Sequence, residues 1–155
     1  MEKLLRYLNP KTVNFDAMPS GGLPAFTTSD ACLVLSYAKL TSVQTVLFQS
    51  FAMNQNSSDQ LRQSAKIILQ EFSRTKSFAV VGDAELSIYI ALVELCAVPA
   101  NYKPSERNRA VIGGVSRMQI QRKLNVLITQ YKEDLKNELD KIASKFEYQF
   151  KKDTY

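Results

Sequence analysis

Histidine is absent from all 155 residues. The commonest general base and the commonest metal ligand are therefore missing together. Only two cysteines occur, Cys32 and Cys96, and their spacing matches neither a zinc site nor a redox pair. Each sits in an apolar run, Ala-Cys-Leu-Val-Leu and Glu-Leu-Cys-Ala-Val, which reads as two small buried hydrophobes. Whether they form a disulfide stays open at this level. No stretch approaches the roughly 18 uninterrupted apolar residues of a membrane span. Residues 1–10 lack the apolar run and small-residue cleavage site of a signal peptide. The expectation is a cytoplasmic protein without a membrane partner.

Glycine and proline are also scarce, five of each, too few for a disordered or low-complexity chain. Apolar residues make up 45% and charged residues 23%, the balance of an ordinary globular protein. The length is that of one domain.

Catalytic signatures are missing as well. The acid pairs Asp83/Glu85 and Glu133/Asp134 sit where a helix cap and a solvated helix face are expected. Neither has an apolar setting that would raise a carboxyl pKa. No Gly-x-Ser-x-Gly elbow occurs, and no histidine could serve one. The expectation is a non-enzyme with no cofactor and no metal.

What is present is helical patterning. Residues 25–81 and 115–155 contain neither Gly nor Pro, so long helices can lie there. Residues 2–8 suit a short helix ended by Asn9-Pro10, followed by a loop over 9–27. Thr28-Ser29-Asp30 offers N-cap chemistry. Leu33, Tyr37, Leu40, Leu47 and Phe51 then recur at helical steps, with Gln44 in the remaining step. This segment reads as the central, most buried helix, although Val and Thr over 41–46 leave a strand as the rival. Ser57 or Ser58 caps a helix with Leu61, Ala65, Ile68 (or Leu69) and Phe72 on one stripe. Residues 76–81 are short and β-prone and read either as a strand or as a buried connector. Asp83 can cap a third helix, with Leu86, Tyr89, Ile90, Val93 and Ala97 as its apolar face and Pro99 as its stop.

From 115 to 152 a single long helix is expected. Its stripe is Leu124, Ile128, Tyr131, Leu135, Leu139, Ile142, Phe146 and Phe150. Seven steps cover 26 residues, about 3.7 per step, longer than the 3.5 of a heptad zipper. The whole reads as a mainly α, single-domain helical bundle. Its parts are an N-terminal helix and loop (1–27), core helices (28–98), a basic loop (99–114) and the long C-terminal helix (115–152), with a short strand near 77–81.

Charge is concentrated. Residues 1–100 hold eight basic and eight acidic side chains and cancel. Lys103, Arg107, Arg109, Arg117, Arg122 and Lys123 face one acid, Glu106, a surplus of five that equals the net charge of the chain. Arginine forks suit phosphate oxygens. The Gly113-Gly114 pair allows close backbone approach, and a helix starting near Val115 or Ser116 would point free N–H groups at an anion. Tyr102, Asn108, Gln119 and Gln121 add a stacking surface and neutral hydrogen bonding. The functional expectation is contact with an RNA or single-stranded DNA backbone through these six cations. An acidic protein face, or a merely solvated surface, is compatible with the same charge count.

The Ala/Leu/Tyr-rich helix around Leu33–Leu40, the Gly82-Asp83-Ala84-Glu85 helix start and the basic segment 103–123 together resemble the small helical subunits of CRISPR interference complexes. The archaeal type I-A small subunit is nearest. The resemblance implies a subunit that lines a nucleic-acid channel inside a larger antiviral complex, beside other protein subunits. The ten glutamines depart from the usual composition of thermophilic archaeal proteins. The alternative is an adaptor or homo-oligomer that docks through the aromatic end of the C-terminal helix, Phe146, Tyr148 and Phe150.

Overall fold

A computed structural model of the chain describes residues 28–75 and 83–153. The expected N-terminal helix and loop and the strand near 77–81 lie outside the described residues. Among the described residues every regular element is helical and no strand occurs, so the chain is mainly α. The elements are α1 (Thr28–Tyr37), α2 (Ser42–Phe51), α3 (Ser58–Thr75), α4 (Ala84–Cys96), α5 (Glu106–Gly113) and α6 (Arg117–Gln119). A π turn (Ile120–Leu124) and α7 (Asn125–Asp153) follow without a break.

The backbone groups into two compact units. One spans Thr41–Leu139; among the described residues the other comprises those up to Leu40 and those from Asp140 onward. In the larger unit α3 packs on both α2 and α4, and α5 packs on α4. The stripe on α3 is as expected: Leu61, Ala65, Ile68 and Phe72 are all buried. Phe72 stacks on Tyr131 of α7 with ring centroids 6.3 Å apart. Leu124, Ile128, Tyr131, Leu135 and Leu139 are buried along one face of the π turn and α7, as the 3.7-residue spacing requires.

The segment from Thr28 to Phe51 is two helices, not one. Lys39 takes a left-handed φ of 46°, and Thr41 starts α2 with a capping box. Its hydroxyl accepts from the Gln44 amide N–H (3.3 Å), and its own N–H donates to Gln44 Oε1 (3.2 Å). This explains a polar residue on the buried stripe. Gln44 closes the cap, and its Nε2 donates to Glu138 Oε2 at 2.9 Å. The break also resets the helical phase. Leu33 and Tyr37, expected inside, are 55% and 61% exposed, and Val34 and Leu35 are buried instead.

The central, most buried helix is α4. Ala84 and the unbroken run Ser87–Glu94 are buried, so α4 is enclosed on all sides rather than on one stripe. Leu86 is only half-buried and Ala97 is exposed. Asp83 stands at the N-cap without a side-chain cap bond. Its carbonyl accepts from the Ser87 N–H and hydroxyl, at 3.0 and 2.8 Å.

In the smaller unit, Val34, Leu35, Ile142 and Phe146 are buried, and Phe146 stacks on Phe150 at 5.9 Å. Lys145 Nζ donates to the Lys39 carbonyl at 3.0 Å, satisfying a backbone acceptor just past the end of α1. Cys32 is exposed, against expectation, and Cys96 is half-buried; both thiols are free.

Candidate nucleic-acid interface

The basic window is built from helix ends. Ala97 adopts a left-handed conformation (φ 50°) and terminates α4. The segment expected to be a loop over 99–114 contains a helix, α5. Ser105 caps it by accepting from the Asn108 N–H at 3.1 Å. At the other end Gly114 is left-handed (φ 64°). Its N–H bonds back to the Val111 carbonyl, and the Val115 N–H to that of Ala110, the paired bonds of a Schellman end. Gly113 serves packing: a Cβ there would lie 3.2 Å from Ile90 Cδ1 and 3.3 Å from Val115 Cγ2. The glycine pair therefore closes α5 and seats it near α4. Ser116 caps the following helix, accepting from the Gln119 N–H at 3.2 Å, so that donor is already taken.

The six cations expected at one surface divide. Arg109 turns inward, its side chain only 15% exposed. Its Nε donates to Glu94 Oε1 at 2.6 Å and its Nη2 to Oε2 at 3.0 Å. Nη1 donates to Asn125 Oδ1 at 2.9 Å. Lys132 Nζ reaches Glu94 Oε2 at 2.9 Å, and the Tyr102 hydroxyl donates to Oε1 at 3.3 Å. Glu94, whose side chain is fully buried, thus receives four hydrogen bonds. Burial raises its carboxyl, but the hydrogen bonds and charges of Arg109 and Lys132 outweigh burial and hold it below the ordinary carboxylate range. Arg109 is pushed up by its bond to Glu94. Tyr102, expected as a stacking surface, is pushed up to about 12 by burial and by the neighbouring Glu94 charge.

A second link leads outward. Asn125 Nδ2 donates to Glu106 Oε1 at 3.3 Å, and Arg117 Nε donates to Glu106 Oε2 at 3.2 Å. Arg117 remains 71% exposed in spite of this bond. Asn108 Nδ2 donates to the Lys103 carbonyl at 2.8 Å and so holds the backbone that carries Lys103. Lys103, Arg107, Arg122 and Lys123 are exposed. The last two sit on the π turn, where the Asn125 N–H reaches back five residues to the Ile120 carbonyl. That widened turn keeps Ile120 and Leu124 buried while Gln121, Arg122 and Lys123 face solvent. Val111, Met118 and Val126 are exposed apolar side chains on the same helices.

Sequence reasoning missed Glu94. It had a signal: one acid inside the apolar run Ile88–Val98, where a buried charge needs a cation partner. Of the aromatic end of α7, Phe146 is buried and Phe150 half-buried, and Tyr148 stands exposed. Among the described residues no helix is long and apolar enough to cross a membrane, and no cluster of acidic or cysteine side chains is placed to hold a metal ion. No protein-family model, curated protein or solved structure matches the chain.

Proposed function

We propose that this chain is a non-catalytic nucleic-acid-binding subunit that contacts the backbone of RNA or single-stranded DNA through Lys103, Arg107, Arg117, Arg122 and Lys123. The observation that carries the reading is the division of charge in the basic window. Five cations are exposed, while Glu106, the single acid among them, is engaged by Arg117 and Asn125. The surface is left strongly positive, the electrostatic footprint expected of a phosphate-binding face. Arg109 leaves the binding set, because its charge is matched by Glu94. The likeness to small subunits of CRISPR interference complexes supports a place beside other proteins in a larger nucleoprotein assembly.

The test is the salt dependence of binding to a single-stranded oligonucleotide. Each phosphate contact contributes about −0.7 to the slope of log K against log salt. Replacing Lys103, Arg107, Arg122 and Lys123 together by Gln is expected to flatten the slope by up to about 3. An unchanged slope in a folded variant overturns the reading.

A further inference from the structure

Two arginines of the basic window are bonded in opposite ways. Arg109 uses all three of its guanidinium nitrogens inside the protein, on Glu94 and Asn125. Arg117 uses one. Its Nε donates to Glu106 Oε2 at 3.2 Å, and its Nη1 and Nη2 meet no partner among the described residues. The side chain is 71% exposed, so both terminal nitrogens are open to a ligand.

Glu106 is itself held from behind. Its second oxygen, Oε1, accepts from Asn125 Nδ2 at 3.3 Å. Asn125 Oδ1 accepts from Arg109 Nη1 at 2.9 Å, and Arg109 grips the fully buried Glu94. Hydrogen bonds therefore run without a gap from a buried carboxylate on α4, through α5 and the start of α7, to an exposed guanidinium on α6. An exposed ion pair adds little to stability. What this one fixes is direction. A free arginine side chain loses rotamer freedom when a ligand orders it; one already tied at Nε has less to lose.

We propose that Arg117 grips a phosphodiester with two hydrogen bonds, from Nη1 and Nη2 to its two unbridged oxygens, and that Glu106 is the positioning residue that aims it. The proposal rests on the nucleic-acid reading above and adds a division of labour to it. Lys103, Arg107, Arg122 and Lys123 supply charge, whereas Arg117 supplies a directed fork. Carboxylate and phosphate take different nitrogens of the guanidinium, with its positive charge between them, so the strand binds without displacing Glu106.

Charge-keeping substitutions separate aim from charge. Glu106→Asp retains the carboxylate but draws it back by one methylene. Arg117→Lys retains the cation but replaces the fork by a single ammonium. Each is expected to weaken binding of a single-stranded oligonucleotide to the full chain by about tenfold, the loss expected for one hydrogen bond to a charged group. The salt slope and the urea midpoint should stay those of the parent. A role confined to holding the fold would lower the midpoint, and a role confined to charge would leave both affinities unchanged. The double variant should bind no more weakly than Arg117→Lys alone, because Glu106 acts only through Arg117. In the free chain the Arg117 Nε–H resonance, assigned by its loss in Arg117→Lys, should exchange with water faster in Glu106→Asp than in the parent. Parent affinity in either single variant overturns the proposal. So do losses that multiply in the double variant, or an Nε–H that exchanges equally fast in parent and Glu106→Asp. Those results leave the backbone reading standing wherever the parent binds with its salt slope. A parent chain that binds no oligonucleotide overturns both readings.

Discussion

Arg109 meets Glu94 with two prongs, Nε on Oε1 at 2.6 Å and Nη2 on Oε2 at 3.0 Å, and the carboxylate it grips is fully buried. The pair ties α5 to α4, and Lys132 brings α7 to the same carboxylate. Breaking a buried pair by removing one partner typically costs about 3–5 kcal/mol, since a charge is left behind uncompensated. Arg109→Ala and Glu94→Ala are each expected to lower stability by that order in urea unfolding. Arg109→Lys keeps the charge but loses the fork and the bond to Asn125, so it should fall between parent and alanine variant. An Arg109→Ala variant with the parent's unfolding midpoint would refute this role. The same result bears on binding experiments: Arg109 belongs to the fold, and a variant set that includes it confounds unfolding with lost contact.

The Glu94 cluster also sets an acid limb. Its carboxyl lies below the ordinary 4.5 in the folded chain. Between the folded and unfolded values the unfolded chain binds more protons, so stability rises with pH there. The contribution is present above about 4.5 and is lost as pH falls through the lowered folded value. Glu94→Gln should flatten this limb in a series of urea titrations from neutral to acid pH. A variant with the parent's acid profile would place the titrating group elsewhere.

Some of this is legible in the sequence, and the misses have physical causes. The α3 stripe and the long stripe from Leu124 to Phe146 follow from periodicity alone, because those helices each bury one face. Helix ends are harder to read. Gly and Pro do not mark every break, for the chain turns at Lys39 without either; the marker there is Thr41-x-x-Gln44, a capping box. The same Ser/Thr-x-x-amide spacing starts α3 at Ser57 and Gln60 and α5 at Ser105 and Asn108. Within the candidate site, a charge count finds the cations but cannot say which one turns inward. That depends on Glu94, fifteen residues before Arg109 and across a helix boundary.

Gly113 and Gly114 are adjacent but should respond differently to substitution. Gly114 is left-handed, and a Cβ there would meet no atom within 4 Å. Only backbone strain therefore opposes Gly114→Ala, at about 1–2 kcal/mol. Gly114→Asn should cost less, since Asn visits that region more readily. At Gly113 a methyl group would press on Ile90 Cδ1 and Val115 Cγ2 at 3.2–3.3 Å. Gly113→Ala is expected to be mild, because those side-chain ends can shift, whereas Gly113→Val should be much worse through overpacking. Thermal unfolding of the four variants checks the order. Equal losses for Gly114→Ala and Gly114→Asn would argue against a strained left-handed end.

The two thiols provide a separate measure of local structure. Cys32 is exposed on α1, and Cys96 is half-buried at the end of α4. Burial pushes the Cys96 thiol up to about 12 from an ordinary 9.0. Each pKa unit removes a factor of ten in thiolate near neutral pH, so Cys96 should react on the order of a thousandfold more slowly than in the unfolded chain. With a disulfide reagent at mild alkaline pH, one thiol per chain is expected to react at once and the second only slowly; both should react promptly in denaturant. The sign of the linked effect is fixed. The folded chain keeps the Cys96 proton while the unfolded chain loses it above about 9, so stability falls as pH rises from 9 towards 12. Cys96→Ala should remove the first part of that fall and leave the part due to Tyr102 and Tyr131, both raised by burial, which begins near their ordinary value of 10.0. A parent and a Cys96→Ala variant with the same alkaline profile, or two thiols of equal rate in the native chain, would show that Cys96 is not held as described.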